Sequence, residues 1–381
     1  MKLFAKGWRQ NSLKIFKFLF ILLIIGAGVL FIIQRKQIIS IFKGGKESWK
    51  PTEEYIEKYN SYKPKLLLGQ KEGKFAGENE KKFVLKKELE IKSEPNENVR
   101  FFLPLDIEVD DFGYVYTLDS GNQRIQIFDE KGNFIRNIDK NNGFPPIAVD
   151  ISVNSDGIIA IVEKLRRRIY LFMDSGQFLG DFSVPFELSK VESLDEDFLI
   201  IGLGEYFLIH RYSNSGEKIY AFCPILQKDE SDIIVKIFNE ASFDIDDEGF
   251  VYLSYEYPYR IVKFNKEGIP LLAFNRKLEE DIPPPIIEND TVSKGNDAIK
   301  RTISLAIKIS QDGSIYNLIR GMDTKKGNRI DMFNSEGVYL QTFYLEVAVD
   351  DFAIYRNDYI WCYIGKPENK IIKYKIEKLE L

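Results

Sequence analysis

The feature that most limits how this sequence can fold is a pair of turns that recurs along most of its length. The first turn is acidic or polar and ends in glycine or aspartate, and the second has the pattern aromatic-x-x-x-Gly. The first turn falls at Gly113, Gly157, Asp197, Gly249 and Gly313, with a degenerate copy at Asp358. The second turn spans Phe128–Gly132, Phe172–Gly176, Tyr212–Gly216, Phe264–Gly268 and Phe333–Gly337. The two turns lie 19 residues apart in the first four copies and 24 apart in the fifth. A strand-rich period of roughly 40 to 50 residues is typical of propeller blades.

Each copy of the repeat holds four short runs in which apolar and polar residues alternate, the pattern of a hairpin meander. In the first copy these runs are Leu105–Val109, Tyr114–Leu118, Arg124–Phe128 and Phe134–Ile138. A blade buries its apolar faces only against its neighbours, so the copies must close into a ring. We therefore predict an all-β fold, a six-bladed β-propeller of four-stranded antiparallel blades, over residues 82–381.

The last copy ends soon after its third strand, Lys370–Ile376. Its missing outer strand can come from Phe83–Ile91, whose residues alternate in the required way. Such a splice would close the ring and cover two sheet edges. The alternative is that Phe83–Ile91 belongs to the linker that precedes the propeller.

The amino-terminal region is apolar. Phe18–Ile33 contains no charged residue, and a helix over 15–34 at ~1.5 Å per residue would span about one hydrocarbon core. Basic residues that can reach the headgroups bracket the run: Lys14, Lys17, Arg35 and Lys36. The small residues Gly26–Gly28 lie inside the run and make a poor cleavage site. We predict one uncleaved transmembrane α-helix over 15–34.

The charges around this helix predict its orientation. Five basic residues precede the uncharged run Phe18–Ile33 and four follow it closely, which favours a cytoplasmic tail over 1–14 and an exported body. Residues 35–81 are predicted to form a stalk, with a short helix over Glu53–Tyr59. The chain is thus expected to be a single-pass membrane protein whose propeller is extracytoplasmic.

Composition excludes several functional classes. The chain has 53 basic and 58 acidic residues and a net charge of −5, which argues against nucleic acid as a partner. Its two cysteines, Cys223 and Cys362, fall on blades three and six, and we predict buried free thiols. The single histidine, His210, cannot build a multi-histidine metal site and is predicted to pack within a strand.

Blade one resembles the NHL repeat. The resemblance rests on Asp119-x-x-Asn122-x-Arg124-Ile125-Gln126-Ile127-Phe128-Asp129-x-x-Gly132, with Leu105-Asp106-Ile107-x-Val109-Asp110-x-x-Gly113 upstream. Other blades keep parts of it, such as Arg168-Ile169, Arg260-Ile261 and Arg329-Ile330, whereas Leu208 breaks the pattern in blade three. The resemblance implies the propeller fold over roughly residues 100–381. It implies little about function, because such propellers bind proteins, RNA or ligands and some are enzymes.

Two charged patterns have structural explanations. Asp244-x-Asp246-x-Glu248-Gly249 begins like a calcium loop, but Tyr255 stands where a helix–loop–helix calcium site needs a bidentate acid. We predict a β-turn with a solvated acidic face. A basic residue also opens most third strands, and we predict that it ties a loop to a neighbouring strand. These residues are Arg124, Arg168, Arg260, Arg329 and Lys370.

Loop geometry indicates where a partner could bind. In a four-stranded meander, the loops between second and third strands and the connections between blades emerge on one face, here called the loop face. The largest departures from the repeat, Arg276–Ile303 and Arg320–Asn328, belong to these classes, and inserted loops often carry binding. The candidate binding residues are Arg166, Arg167, Arg168, Tyr257, Tyr259, Arg260, Lys325 and Lys326. The alternative is that these loops are simply solvated.

We therefore expect a membrane-anchored recognition or scaffold module that binds a protein, peptide or glycan through its loop face. No catalytic residue set and no cofactor is predicted, and a non-enzymatic role is favoured. The alternative is a lactonase-like propeller hydrolase with a divalent metal in the central channel. Channel carboxylates could hold Ca²⁺ in that case, although the sequence singles out no ligand set.

Overall fold

The computed structural model describes residues 50–71, 83–93, 99–278, 287–288, 291–292, 304–320 and 328–379. The predicted tail over 1–14 and transmembrane helix over 15–34 lie outside these residues. Within them, no helix has the length and apolar character that a membrane crossing requires.

The described chain begins with a short helix and two strands that precede the first blade in sequence. They are α1 (Glu53–Ser61), β1 (Lys65–Gln70) and β2 (Phe83–Lys92). Blade one contains β3 (Pro104–Val109), β4 (Val115–Asp119), β5 (Arg124–Phe128) and β6 (Phe134–Ile138). Blade two contains β7 (Ala148–Val153), β8 (Ile158–Glu163), β9 (Arg168–Met173) and β10 (Phe178–Ser183). Blade three contains β11 (Glu187–Leu194), β12 (Asp197–Leu203), β13 (Phe207–Ser213) and β14 (Lys218–Pro224).

The second half of the ring follows the same plan, with two additions. Helix α2 (Asp232–Asn239) precedes blade four, which contains β15 (Ala241–Ile245), β16 (Val251–Tyr255), β17 (Arg260–Phe264) and β18 (Pro270–Arg276). The insertion after blade four contains a hairpin of two short strands, β19 (Ile287–Glu288) and β20 (Thr291–Val292). Blade five contains β21 (Ser304–Ile309), β22 (Ile315–Arg320), β23 (Asn328–Phe333) and β24 (Tyr339–Tyr344). Blade six contains β25 (Asp351–Tyr355), β26 (Tyr359–Ile364) and β27 (Lys370–Lys378).

The sheets close into a ring, as the repeat predicts. The innermost strands β3, β7, β11, β15, β21 and β25 contact one another in that order and back to β3. Strand β2 pairs antiparallel with β27, from Phe83 opposite Lys378 to Lys92 opposite Lys370. The prediction that Phe83–Ile91 completes blade six is therefore confirmed, and the fold is an all-β propeller of six four-stranded antiparallel blades.

The glycine of the second turn explains why the repeat is kept. In each of the first five blades this turn packs on the outer strand of the preceding blade. Gly268 has a φ of 78°, and a Cβ there would lie 2.3 Å from Cγ of Phe222. Only glycine tolerates both the left-handed backbone and the close approach. The aromatic residue four positions earlier is buried in every one of these turns.

Residues 50–71, here called the strap, dock on the propeller. Helix α1 starts at Thr52, whose hydroxyl accepts a hydrogen bond from the Tyr55 amide at 3.1 Å. Tyr55 and Tyr59 lie one turn apart on the same face of the helix, and both pack edge-on against Phe207 of blade three. Strand β1 then adds in parallel to β18, as a fifth strand of blade four. The predicted helix over Glu53–Tyr59 is confirmed, but docking replaces the free stalk expected for these residues, because the tyrosines gain an apolar surface to pack on.

The predicted buried residues are found in the blades. Cys223 and Cys362 are buried free thiols. His210 is buried in β13, where its ring stacks on Phe186 with a centroid distance of 4.0 Å. Burial lowers the pKa of His210 to about 3, so the imidazole is neutral and serves packing.

Candidate functional site: the central channel and the loop face

The central channel is lined by the polar side chains of the innermost strands. Six carboxylates and two lysines meet there: Asp106, Glu108, Asp150, Lys190, Glu192, Asp244, Lys308 and Asp351. They belong to all six blades, because every innermost strand turns alternate side chains towards the axis. The channel thus holds a cluster of charged side chains in the interior of the ring.

The carboxylates hold neighbouring blades together. Innermost strands have one edge without a strand partner, so their amides need other acceptors. The Ile151 amide donates to Oδ2 of Asp106 at 2.7 Å, from the next blade. The Val191 amide donates in the same way to Asp150 at 2.8 Å, and the Ile309 amide donates to Asp244 at 2.6 Å. These hydrogen bonds connect each blade to the next, so the acids have a structural role.

The two lysines neutralise part of the acidic charge. Nζ of Lys190 lies 2.8 Å from Oδ1 of Asp150. Nζ of Lys308 donates to Glu108 and lies 3.4 Å from Oε1 of Glu192. Both ammonium groups lie among the carboxylates. Two positive charges can neutralise only part of the negative charge of six acids.

Burial raises the pKa of several channel acids, including acids that the lysines contact. Desolvation raises the pKa of Asp150 to about 7 and that of Glu192 to about 8, although the lysines oppose the shift. Desolvation likewise raises the pKa of Glu108 and Asp351 well above the usual range. Part of the acidic excess is therefore neutral in the folded protein, and a buried cluster of six full negative charges is avoided.

This donor set does not fit a divalent metal ion. Ca²⁺ sites are built from six to eight oxygen ligands, whereas here ammonium groups occupy the ring and the carboxylates already accept backbone hydrogen bonds. Among the residues that the structure describes, no group of three or more histidine, cysteine or acidic side chains could hold a metal. We derive no catalytic step through such an ion.

A cavity of about 180 Å³ opens the channel on the face opposite the loop face. Its rim includes Asp110 and Asp246, the acids of two first turns. Oδ1 of Asp110 accepts from the amides of Phe112 and Tyr114, and Asp246 binds its own turn in the same pattern. The β-turn predicted at Asp246 is confirmed, and Asp110 forms the equivalent turn of blade one. The predicted solvated acidic face does not include Asp244, which lies in β15 and accepts from the Ile309 amide in the channel.

The predicted loop-face residues fall into two separate groups. In the loop of blade two, Arg166 and Arg167 are exposed, whereas Arg168 is half-buried and paired with Asp181. In the loop of blade four, Tyr257 packs edge-on against Phe238 at 5.5 Å.

Also in blade four, Tyr259 is buried and donates from its hydroxyl to Oδ2 of Asp331 at 3.0 Å. Arg260 is half-buried, 5.2 Å from the centre of the Tyr255 ring. Lys325 and Lys326 lie outside the described residues. Two of the predicted residues, Arg168 and Tyr259, thus serve internal contacts.

Sequence reasoning missed an exposed apolar patch on the loop face. Its members lie in connections and loops of blades one and two: Phe102, Leu103, Ile147 and Leu165, with exposed fractions of 49%, 49%, 42% and 73%. Two hydrogen bonds join the segments of Phe102 and Ile147 to the end of β4, from the Phe102 amide to Asp119 at 2.7 Å and from the Ser120 hydroxyl to the Ala148 carbonyl at 2.6 Å. Together with Arg166 and Arg167, these four residues are called the loop-face patch. The only signal in the sequence was Leu165 inside a basic run.

Comparisons with known proteins support the fold. No protein-family model matches the sequence, and no curated protein matches it either. The NHL-repeat resemblance therefore stays a prediction.

Three solved structures are similar to the described fold. A DUF4221-family protein of Bacteroides vulgatus is 12% identical, covers 80% of this chain and 100% of its own, and has a TM-score of 0.56. A Bacteroides fragilis protein named as exported is 13% identical, with coverages of 83% and 100% and a TM-score of 0.54. A gluconolactonase of Xanthomonas campestris is 9% identical, with coverages of 78% and 91% and a TM-score of 0.50. At such identities the likeness establishes the propeller fold alone.

Proposed function

We propose that this protein is a membrane-anchored recognition module that binds an acidic segment of a partner protein through the loop-face patch. The observation that carries the proposal is the juxtaposition of exposed Leu165 with the exposed guanidinium groups of Arg166 and Arg167. Aromatic and arginine side chains dominate the binding energy of many protein interfaces, and the patch holds both types in Phe102 and the two arginines. Clustered exposed apolar residues mark such surfaces more often than scattered ones do.

The charges of the patch select the partner. Lys164 is exposed beside Leu165, and Nζ of Lys366 lies 5.0 Å from the ring centre of Phe102. The patch is therefore apolar at its centre and basic at its edge, which complements an acidic segment that carries apolar anchors. This makes a peptide or protein a better fit than a neutral glycan.

The channel gives little support to the lactonase-like alternative. Its lysines pair with the acids that a metal would need, and its acids already bind backbone amides. The likeness to a gluconolactonase concerns the fold only.

The membrane attachment rests on the apolar run Phe18–Ile33 and the basic residues around it. An extracytoplasmic propeller agrees with the exported name of one structural relative. Added protease should digest the propeller in intact cells if this orientation is correct. Protection in intact cells, with digestion only after lysis, would place the propeller in the cytoplasm.

The binding surface is tested by cross-linking in native membranes. A variant with Leu165→Asp, Arg166→Glu and Arg167→Glu should lose a partner that the native protein captures. The matched control carries Ile135→Asp and Arg136→Glu on the outer strand of blade one, where both residues are exposed. Mass spectrometry should place the cross-link in an acidic segment of the partner. Equal capture by the patch variant and the control variant would contradict the proposed surface.

A further inference from the structure

A cavity of about 210 Å³ lies between the strap and the flank of blade four. The strap contributes Tyr62 and Leu66 to its walls, and blade four contributes Val262, Phe264 and Ala273. Apolar side chains dominate this lining, as is usual for small-molecule sites. The cavity is separate from the loop-face patch, which lies over blades one and two.

Among the described residues, Arg260 is the only charged one that lines the cavity. Its side chain is half-buried, and its Nε atom is buried without a hydrogen-bond acceptor. The ring of Tyr255 lies 5.2 Å from the guanidinium group, and the thiol of Cys223 is near enough to feel its charge. A guanidinium group offers five donors in a planar fork and gains most from a carboxylate.

The other blades show what is missing around Arg260. In blade one, Arg124 pairs with Asp119 at 3.2 Å, and the two residues stand opposite each other in the strand register. In blade four the residue opposite Arg260 is Tyr255. The first position from which a carboxylate could neutralise this arginine is thus occupied by an aromatic ring.

The second such position also carries no charge. In blade two, Arg168 pairs with Asp181, which stands opposite Tyr170, two residues after the arginine. The equivalent residue of blade four, opposite Val262, is Ala273. Arg260 therefore lacks both of the counter-ions that blades one and two supply, and both replacements line the cavity.

We propose that the cavity binds a small monocarboxylic acid with an apolar body, whose carboxylate pairs with Arg260. An apolar cavity of about 150 Å³ holds benzene, so the observed volume suits one aromatic ring or a short alkyl chain together with the carboxylate. No acidic side chain of the described residues lines the cavity to compete for the guanidinium. Burial also raises the pKa of Tyr255 well above its usual range, which keeps that hydroxyl neutral.

The strap forms one wall of this site, so the ligand would contact both the strap and the propeller. Occupancy should therefore hold the strap in place. Benzoate should slow tryptic cleavage after Lys65, the first residue of β1, and benzamide should not.

The test uses the full chain in detergent and isothermal titration calorimetry. The acids benzoate and hexanoate are compared with benzamide and hexan-1-ol, neutral molecules of similar size. We expect saturable binding of an acid, at least about tenfold tighter than that of its neutral counterpart, because a charge-assisted hydrogen bond is lost in the latter.

Two variants probe the arginine and its missing partner. Arg260→Gln should weaken acid binding by about tenfold or more. Ala273→Asp places a carboxylate at the position that Asp181 has in blade two. This internal partner should pair with Arg260 and abolish acid binding. Arg136→Gln, at an exposed position on the outer strand of blade one, should leave it unchanged. Circular dichroism checks that each variant is folded. If Ala273→Asp misfolds, Arg260→Gln still decides the test, because it replaces a half-buried residue.

Absence of saturable acid binding in the millimolar range would overturn the proposal. So would equal affinity for benzoate and benzamide, or acid binding that survives Arg260→Gln unchanged. None of these results bears on the loop-face patch, which the cross-linking experiment tests separately.

Discussion

The central channel and the cavity under the strap differ in how their charges are compensated. In the channel, each lysine has a carboxylate partner, and carboxylates accept backbone hydrogen bonds from the next blade. In the cavity, a guanidinium group faces apolar walls, and no carboxylate of the described chain lies beside it. A charge whose partners are built into the chain serves the fold. A charge whose partners are missing is open to a ligand.

The largest expected effect comes from breaking compensation in the channel. Asp150→Ala would leave Lys190 without its partner and the Val191 amide without its acceptor. Removing one member of a buried ion pair costs about 3–5 kcal/mol. Urea unfolding, followed by the fluorescence of buried Trp361, should show a loss in that range. The control, Asp111→Ala at an exposed turn, should change stability by less than about 0.5 kcal/mol. Similar losses in the two variants would refute the idea that the channel holds the blades together.

The next effect concerns the pH dependence of stability. Glu192 faces Lys308, Asp244, Asp150 and Asp106 in the channel. Its folded pKa of about 8 exceeds an unfolded value of about 4. Between these values the folded state binds more protons than the unfolded state, so its stability falls as pH rises through this window.

We expect the free energy of unfolding to fall by on the order of 2 kcal/mol between pH 5 and pH 8.5. This loss is smaller than the full pKa shift of an isolated Glu192 would give, because the channel acids titrate as a coupled group. Thermal melts across this range measure it, and Glu192→Gln should flatten the curve. Stability that rises with pH, or a curve that the variant leaves unchanged, would count against a protonated acid cluster.

A smaller effect should separate two glycines with similar backbones. Gly268 packs on Phe222 of the preceding blade, whereas a Cβ added at Gly143, with its φ of 88°, would meet no atom within 4 Å. Both alanine variants incur the left-handed backbone penalty of roughly 1–2 kcal/mol. Gly268→Ala should cost at least about 1 kcal/mol more, because it overpacks the contact between blades. Equal costs in urea unfolding would mean that the second turn does not restrain its neighbour.

The smallest effect compares equivalent arginines in blades two and four. Asp181→Ala removes the partner of Arg168, and the partly exposed pair should be worth about 1 kcal/mol. Arg260→Gln, in the ligand-free protein, should change stability by less than about 0.5 kcal/mol, because no ion pair is lost. Unfolding in urea measures both. A larger loss for Arg260→Gln than for Asp181→Ala would show that Arg260 has an internal structural role.

The sequence predicted the fold because its signals are local. The turn pairs and the alternation between them lie within single blades, and the missing outer strand of blade six followed from counting strands. Docking of the strap was not predictable in this way. Tyr55 and Tyr59 sit among charged residues, and the groups that receive them, Phe207 and Gly268, lie far away in the sequence.

The candidate sites were partly predictable for the same reason. Arg260 was named from its position in a tyrosine-rich loop. Its lack of partners became visible only with the strand register, which places Ala273 where blade two has an aspartate. The pairing of Lys308 with Glu108 joins residues 200 positions apart. No local pattern could have indicated that contact.

The most direct test of the central claim is the NMR signal of the Arg260 Nε–H group during titration with benzoate. We identify the signal by its loss in Arg260→Gln. The account predicts a saturable shift of this signal with benzoate and little shift with benzamide, while the signal of the internally paired Arg168 stays in place. Movement of the Arg168 and Arg260 signals together, or no movement of the Arg260 signal, would contradict it.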